Sequence, residues 1–385
     1  MAHIEDRREQ GRGWRVRYRA PDGRERSRSF RRKVDAERFA VSIESSMLRG
    51  DWVDPRLGKT TFGEWAARWM PTTAALKPTT RAGYESLLRT YLIPRFGHAP
   101  LARIEPVHVH EWIADLVASG LSSSRVRQCY FLLSNILKAA LESGYIARTP
   151  CVGVKLPRVT GAEMRFLTAD EVARLAGGIT RPYAPLVYLL AYGGTRWGEA
   201  VALRRGRCEL LRSRIQVRES LADVDGHLHF GATKTYETRF VSLPRFLVEM
   251  LARHLAENVT AETDSLVFAA PGGGPLRHAN FRGRVWVPAV RAAGLPEGLR
   301  IHDLRHTCAA LLISRGAHPK AIQQHLGHSS ITVTMDRYGH LFPDDMSRLA
   351  EDLDGLHRRS LAAPARPQRD SQAREPGLGG TGYGL

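Results

Sequence analysis

His302-Asp303-Leu304-Arg305-His306, followed by Leu326-Gly327-His328 and then by Met335-Asp336-Arg337-Tyr338-Gly339-His340, is the stretch on which the reading of this chain turns. It brings an arginine, several imidazoles and a phenol into one short region. His302 and Arg305 are three residues apart in what reads as the first turn of a helix running to about Arg315, so they would point to one side of that turn. Gly327-His328 comes about a helix later, and Tyr338 lies ten residues beyond His328. Working outward, Gly194-Thr195-Arg196-Trp197-Gly198-Glu199 adds a second arginine with a carboxylate one helical turn away. Thr233-Lys234-Thr235 adds a lysine in a strand-like setting. Phosphodiester transfer without a metal has three needs: neutralised charge on the non-bridging oxygens, a nucleophile, and a proton for the leaving oxygen. Guanidinium forks meet the first with paired hydrogen bonds that lysine cannot copy, and the remaining side chains supply candidates for the other two.

Each residue also has an ordinary reading. Arg196 and Glu199 at this spacing would usually be a surface salt bridge, Lys234 a solvated charge, and Tyr338 a half-buried aromatic; His302-x-x-Arg305 alone is a weak motif. The order and spacing of the whole set carry the argument, and in them the chain resembles the tyrosine recombinases of the phage-integrase family. The resemblance implies that Arg196 and Arg305 clamp the phosphate, that His302 is a base or phosphate ligand, and that His328 donates to the phosphate. It further implies that Tyr338 is the nucleophile and that Glu199 orients a guanidinium or an imidazole. Lys234, in a Thr-Lys-Thr turn followed by Arg239-x-Val241-x-Leu243-Pro244, looks like the family's lysine hairpin, which would deliver an ammonium to the leaving 5′ oxygen. A free tyrosine has a pKa near 10, so attack at neutral pH requires proton removal in concert with phosphate stabilisation. Two departures are minor: Tyr192-Gly193-Gly194-Thr195 stands where a Thr-Gly-Leu-like run often precedes the arginine, and Thr238 where serine is common. The resemblance is specific over about residues 165 to 345, and rests on domain order and helical character over about 60 to 150.

Composition bounds the rest. A chain of 385 residues is too long for one ordinary core, so two or three domains are expected. Its formal charge of +18 calls for an anionic partner, with nucleic acid ahead of a membrane surface because the arginines are dispersed through the chain. Cys129, Cys151, Cys208 and Cys308 lie far apart without a Cys-x-x-Cys pair, against a zinc ribbon or a disulfide framework. The N-terminus has no apolar stretch suited to a signal peptide, and no run approaches the roughly 20 apolar residues of a membrane span. A soluble cytoplasmic protein is the expectation.

Along the chain, Trp14 to Arg19 and Arg24 to Phe30 alternate basic and apolar positions around Pro21-Asp22-Gly23, a hairpin pattern. A helix from Val34 to about Arg49 should follow. Residues 7–38 hold 13 Lys/Arg against 5 Asp/Glu, a surplus suited to a DNA groove or phosphate track. Leu57-Gly58-Lys59-Thr60 is not a phosphate loop, because Val53 stands where the motif needs its first glycine. Helices are predicted over Thr61 to Pro71, Lys77 to Tyr91, Glu105 to Ser119 and Ser122 to Ser143, with caps such as Thr61 with Glu64. Strands are predicted over Arg214 to Arg218, His227 to Phe230 and Arg239 to Pro244. Thr168 with Glu171 opens the last domain as a capping box, and the composition after Leu361 reads as a disordered tail.

The expected fold class is a multidomain α+β protein: a small three-stranded sheet plus helix, an all-helical SAM-like core-binding domain, and a mainly helical catalytic domain with a small antiparallel sheet. The expected divisions are an arm-type DNA-binding domain at 1–58, the core-binding domain at 59–155, the catalytic domain at 163–350 and the tail at 360–385. Candidate DNA contacts are Trp14, Arg15, Arg17, Arg19 and Arg28 in the sheet, with Lys77, Thr79, Arg81, Ser123 and Arg125 near helix N-termini, where phosphates bind well. No cofactor and no metal are expected. The resemblance implies double-stranded DNA attachment sites as substrate, a tetramer on DNA, segments after about Asp344 packing on a neighbouring subunit, and room for an accessory DNA-bending protein or directionality factor. Two other classes fit parts of the sequence: a histidine-metal enzyme built from His302, His306, His325, His328 and His340, and a DNA-binding protein without catalysis. A type IB topoisomerase would share the chemistry, but the separate basic N-terminal module favours site-specific integration.

Overall fold

The alternation around the first turn builds a three-stranded antiparallel sheet, β1 (His3–Asp6), β2 (Trp14–Arg19) and β3 (Glu25–Phe30), in that order. Its apolar face packs on α1 (Lys33–Leu48), where Val16 meets Ala36 and Ala40 in a small core. The computed structural model describes residues 2–10, 13–21, 23–49, 52–54, 57–159, 164–233, 238–342 and 346–362. The turn residue Asp22, residues 55–56 near the first expected division, and residues 363–385 of the expected tail lie outside the described residues.

Next comes an all-helical unit: α2 (Phe62–Trp69), α3 (Pro78–Leu87), a π turn at Leu88–Leu92 leading into α4 (Ile93–Phe96), α5 (Pro106–Ala118) and α6 (Ser123–Glu142). The helix starts follow the caps read in the sequence: Thr61 and Glu64 form a reciprocal capping box, and the Ser122 side chain accepts from the Arg125 amide. Its core is aromatic and aliphatic, with Phe62, Trp65, Phe96 and Trp112 against Leu133 and Ile136. The Trp65 indole N–H donates to the Ile136 carbonyl at 2.9 Å, which satisfies the one polar group buried with that ring.

The remaining unit is mainly helical. Helix α7 (Ala169–Gly178) opens with the Thr168–Glu171 capping box. Helices α8 (Ala184–Tyr192), α9 (Trp197–Val201) and α10 (Arg245–Asn258) share one apolar core with a sheet of order β4–β5–β8, made of β4 (Cys208–Glu209), β5 (Arg214–Val217) and β8 (Arg239–Ser242). A separate hairpin pairs β6 (Glu219–Val224) with β7 (His227–Ala232). Beyond it lie α11 (His278–Phe281), a π turn at Arg282–Trp286, α12 (Val287–Ala292), α13 (Asp303–Ser314), α14 (Pro319–Leu326), α15 (Ile331–Tyr338) and α16 (Met346–Ala362). Strands β4 and β6 are additions to the sequence reading. Strand β6 has few β-branched residues and is fixed by its partner across the two-residue turn Asp225-Gly226, where both residues have positive φ.

Helix α8 is apolar nearly all round, and α13 packs against it with eight of its residues buried. Four of those eight are polar: Asp303, Arg305, His306 and Thr307. Polar groups at the centre of a core cost stability unless they are partnered, so this helix is where function is to be sought. Among the described residues no helix is long and apolar enough to cross a membrane.

Candidate active site

Two glycine turns set the arginines. Gly194 has φ +62°, and a Cβ there would meet Leu326 Cδ2 at 2.6 Å and Cys308 Sγ at 2.9 Å. Gly327, the left-handed cap of α14 at φ +65°, would put a Cβ 2.9 Å from Arg239 Cδ. Glycine at both positions lets the chain pass close to the arginines and offer them its carbonyls. Arg305, 2% exposed, donates to Gly194 O at 2.5 Å and to Leu326 O at 2.6 Å. Arg196, at the N-cap of α9, donates to Gly327 O at 3.1 Å and to Glu199 Oε1 at 2.9 Å. Arg239 on β8 closes the set with hydrogen bonds of 3.1 and 2.6 Å to the two Glu199 oxygens.

Glu199 is therefore the hub of the cationic side. Its burial would raise the carboxyl, but the hydrogen bond from Arg239 and the charges of Arg239 and Arg196 outweigh it and hold the group at about 2. Burial, reinforced by Arg196, pushes the Arg305 guanidinium down to about 9, which leaves it charged at neutral pH. One carboxylate among three arginines leaves a surplus of positive charge in a largely desolvated place, an arrangement that favours an anion.

The imidazoles complete the wall. His328 is buried, its Nδ1 lies 2.9 Å from Thr334 Oγ1, and burial with Arg305 and Arg196 nearby pushes it down to about 3. His302 stands at the N-cap of α13 with part of the residue open to solvent; desolvation of its ring, then His306 and Arg305, push it down to about 4. His306, one residue after Arg305, is buried and held at about 4 by that burial. All three rings are thus neutral at pH 7 while no anion is bound. A cleft of about 1260 Å³ is lined by Arg196, Arg239, His302, Arg305, His328 and Arg337, among others. Tyr338 stands behind this lining: it is 0% exposed, its hydroxyl is 2.8 Å from His306 Nδ1, and its ring lies nearly parallel to that of His328 with centroids 6.2 Å apart.

The structure thus gathers Arg196, Glu199, His302, Arg305, His328 and Tyr338 at one place. Lys234 lies outside the described residues; Thr233, just before it, is buried, and its carbonyl accepts from Lys77 Nζ at 2.8 Å. Among the described residues the histidines form no group of three or more potential metal ligands with one another or with Cys, Asp or Glu. Arg239, His306 and Arg337 were not singled out as site residues. His306 directly follows Arg305 in the opening stretch and Arg239 lies in the strand pattern after the Thr-Lys-Thr turn; either signal becomes contact only once α13 and β8 are folded.

The sheet candidates divide between two faces. Arg15, Arg17 and Arg19 share the face away from α1, opposite Ser29, Ser27 and Glu25 of β3. Trp14 and Arg28 lie on the helix side, Arg28 opposite Val16 and stacked over Phe30 and Phe39 at 5.3 and 5.1 Å, Trp14 beneath Arg8 and Lys33. One DNA surface cannot use both sets at once. Thr79 and Arg125 are exposed in the first turns of α3 and α6; Ser123 begins α6, and Arg81 lies 3.9 Å from Glu85. Lys77 is turned toward the Ala232 and Thr233 carbonyls at 3.4 and 2.8 Å.

Residues 165–344 match the phage integrase family, and residues 61–117 match its N-terminal SAM-like domain. A prophage phiRv2 integrase of Mycobacterium tuberculosis, so named, is 31% identical over 344 residues, covering 85% of this chain and 88% of that one. In structure the chain is similar to the integrase of transposon Tn1549, solved with transposon right end DNA (TM-score 0.67, 21% identity, 79% of this chain and 100% of that one). It is also similar to a lambda integrase tetramer bound to a Holliday junction (TM-score 0.57, 19% identity, 86% of this chain and 96% of that one).

Proposed function

The chain belongs to the phage integrase family, the tyrosine-type site-specific DNA recombinases, and on that premise we propose how its residues divide the reaction. Arg196 and Arg305 clamp the two non-bridging oxygens of the scissile phosphate, with Glu199 and Arg239 holding the first of them in place. His302 and His328 contribute imidazole hydrogen bonds from either side. Tyr338 attacks phosphorus to give a 3′-phosphotyrosyl bond, and Lys234 protonates the departing 5′ oxygen. The bond energy is kept in the adduct, so rejoining to a new 5′ hydroxyl needs no outside energy source. Integration of a mobile element, with excision as the reverse, follows from two such exchanges. The observation that carries this reading is the convergence of the guanidiniums of Arg196, Arg239 and Arg305 beside a tyrosine whose hydroxyl is 2.8 Å from an imidazole.

The substrate is double-stranded attachment-site DNA, entering the cleft from the face that His302 and Arg337 line. The proposed divisions are 1–58, 59–155 and 163–350, with a tail at 360–385. The three-stranded sheet takes a groove through Arg15, Arg17 and Arg19, while the first turns of α3 and α6 hold backbone phosphates through Thr79, Arg81, Ser123 and Arg125. Lys77 serves the contact with Thr233 rather than DNA. A tetramer on DNA is proposed after the lambda integrase tetramer; Leu353 and Leu356 on α16, 65% and 58% exposed, give that helix an apolar edge for a neighbouring subunit. An accessory DNA-bending protein or directionality factor, and action on the bacterial nucleoid in the cytoplasm, complete the proposal.

The test is covalent capture. Wild-type and Tyr338→Phe protein are incubated with labelled fragments of the DNA flanking the gene in the presence of EDTA, denatured, and scored for protein-linked DNA. An adduct with wild type alone is expected, with equal DNA retention by both in gel shift. Adduct formation by Tyr338→Phe would remove Tyr338 from the nucleophile role.

A further inference from the structure

We propose that His306 is the base that takes the phenolic proton from Tyr338 as this tyrosine attacks the phosphate, a role beyond the residues assigned above and one that rests on Tyr338 being the nucleophile. The geometry is direct. Helix α13 presents His306 one turn after His302, and α15 ends at Tyr338, with the two side chains meeting in the interior at 2.8 Å between Nδ1 and the hydroxyl. His306 is 5% exposed and Tyr338 0% exposed, so bulk water does not compete for this proton.

The other imidazoles are occupied or placed differently. His328 stacks on the Tyr338 ring face and has its own Nδ1 on Thr334 Oγ1 at 2.9 Å. His302 touches His306 edge to face, with ring centroids 4.9 Å apart, and reaches the cleft. A buried tyrosine hydroxyl needs some partner, and a backbone carbonyl would serve for stability alone. An imidazole differs in that it can accept the proton outright.

For Nδ1 to accept, His306 must be neutral with its hydrogen on Nε2, a tautomer assigned here by the hydrogen bond it receives. Its low affinity for protons in the free protein, at about 4, keeps it in the accepting form. As the reaction proceeds, the Tyr338 O–H bond breaks and its proton passes to Nδ1. The oxygen lone pair forms the O–P bond, the P–O5′ bond breaks with its electron pair on O5′, and O5′ takes a proton from Lys234. Negative charge gathering on phosphorus favours the new imidazolium at the same moment. Rejoining reverses each transfer, and His306 returns its proton to Tyr338.

The test uses nicked suicide duplexes carrying the site recovered by covalent capture, and compares full-length wild type with His306→Gln, His306→Phe and Tyr338→Phe. His306→Gln is expected to bind the duplex and melt as wild type does, but to form adduct roughly 100- to 1000-fold more slowly at pH 7. Its rate should rise about tenfold per pH unit between 7 and 9, since burial pushes the Tyr338 phenol above its ordinary range and the phenolate fraction grows in that proportion at any pH well below it, while the wild-type profile stays flatter. The deficit should persist on duplexes with sulfur in place of the bridging 5′ oxygen, because that leaving group needs no proton and so bypasses Lys234. His306→Phe, which keeps a ring but no acceptor, should match His306→Gln even if one of the two is less stable. A His306→Gln protein that cleaves within about threefold of wild type, shows the wild-type pH profile, or regains full rate on the sulfur substrate overturns the proposal. Absence of adduct with wild type itself would instead sink the nucleophile assignment beneath it.

Discussion

Glu199 is a single carboxylate on which two arginines converge, and the glycine at 327 allows that arrangement. Replacing Gly327 by alanine forces an L side chain into φ +65° and brings its Cβ within 3.0 Å of three Arg239 atoms. The expected result is a loss of about 1–2 kcal/mol in denaturant unfolding and a larger proportional loss in adduct formation, since the carbonyl holding Arg196 shifts with it. A second expectation concerns acid. His306 and His328 sit at about 4 and 3 in the folded chain against an ordinary 6.5. The unfolded chain then binds more protons than the folded one below pH 6.5, so stability declines as pH falls through 6.5 toward 4. Glu199 is shifted in the same direction but over a lower window: its depressed value keeps its contribution intact above the carboxyl's ordinary 4.5, to be lost only as pH falls toward 2. Denaturant melts at pH 7, 5.5 and 4.5 should therefore show a progressive loss in wild type that is reduced in His328→Asn; a flat profile would contradict the buried neutral rings. Residue types were legible in the sequence because phosphate transfer demands them. The hub role of Glu199, Arg239 and the two glycine turns was not, since it depends on side chains from β8, α9 and α14 meeting.

At the scale of elements, caps and periodicity located helices well: Thr61, Ser122 and Thr168 each begin a helix as read. Strand β6 was missed although Asp225-Gly226 is a strong hairpin signal, because Glu219–Val224 has little strand character without its partner β7. The first sheet shows what a strand pattern leaves open. Period-two alternation separates Arg15, Arg17 and Arg19 from Val16 and Tyr18, but basic residues of β3 fall on either face according to register, and register comes only from pairing. Arg28 pairs opposite Val16 and covers Phe39, so Arg28→Ala should cost about 0.5–1 kcal/mol in stability and leave the salt dependence of DNA binding unchanged. Arg17→Ala, on the open face, should leave stability near wild type and lower the salt slope by about one if it meets a phosphate. Gel shifts across a salt series with parallel melts separate the two; reversed effects would place DNA on the helix side of the sheet.

For the whole molecule, the described residues build separate apolar cores around Val16, around Phe62 and Trp112, and around α8 with α13. This agrees with a chain too long for one core, and the charge of +18 is spread along it as a DNA-tracking protein requires. The family is legible over about residues 165 to 345 because its chemistry fixes residue order there. The face each basic residue presents, and the burial of Tyr338 behind the cleft lining, needed the fold. That burial also means that Tyr338 and His306 have to meet the phosphate as a pair, with their hydrogen bond kept, when DNA is bound. The most direct test of the account is to digest the protein–DNA adduct and identify, by mass spectrometry, which of the 11 tyrosines carries the nucleotide. A 3′-phosphate ester on Tyr338 alone is the expected result; a nucleotide on any other residue would contradict the site described here.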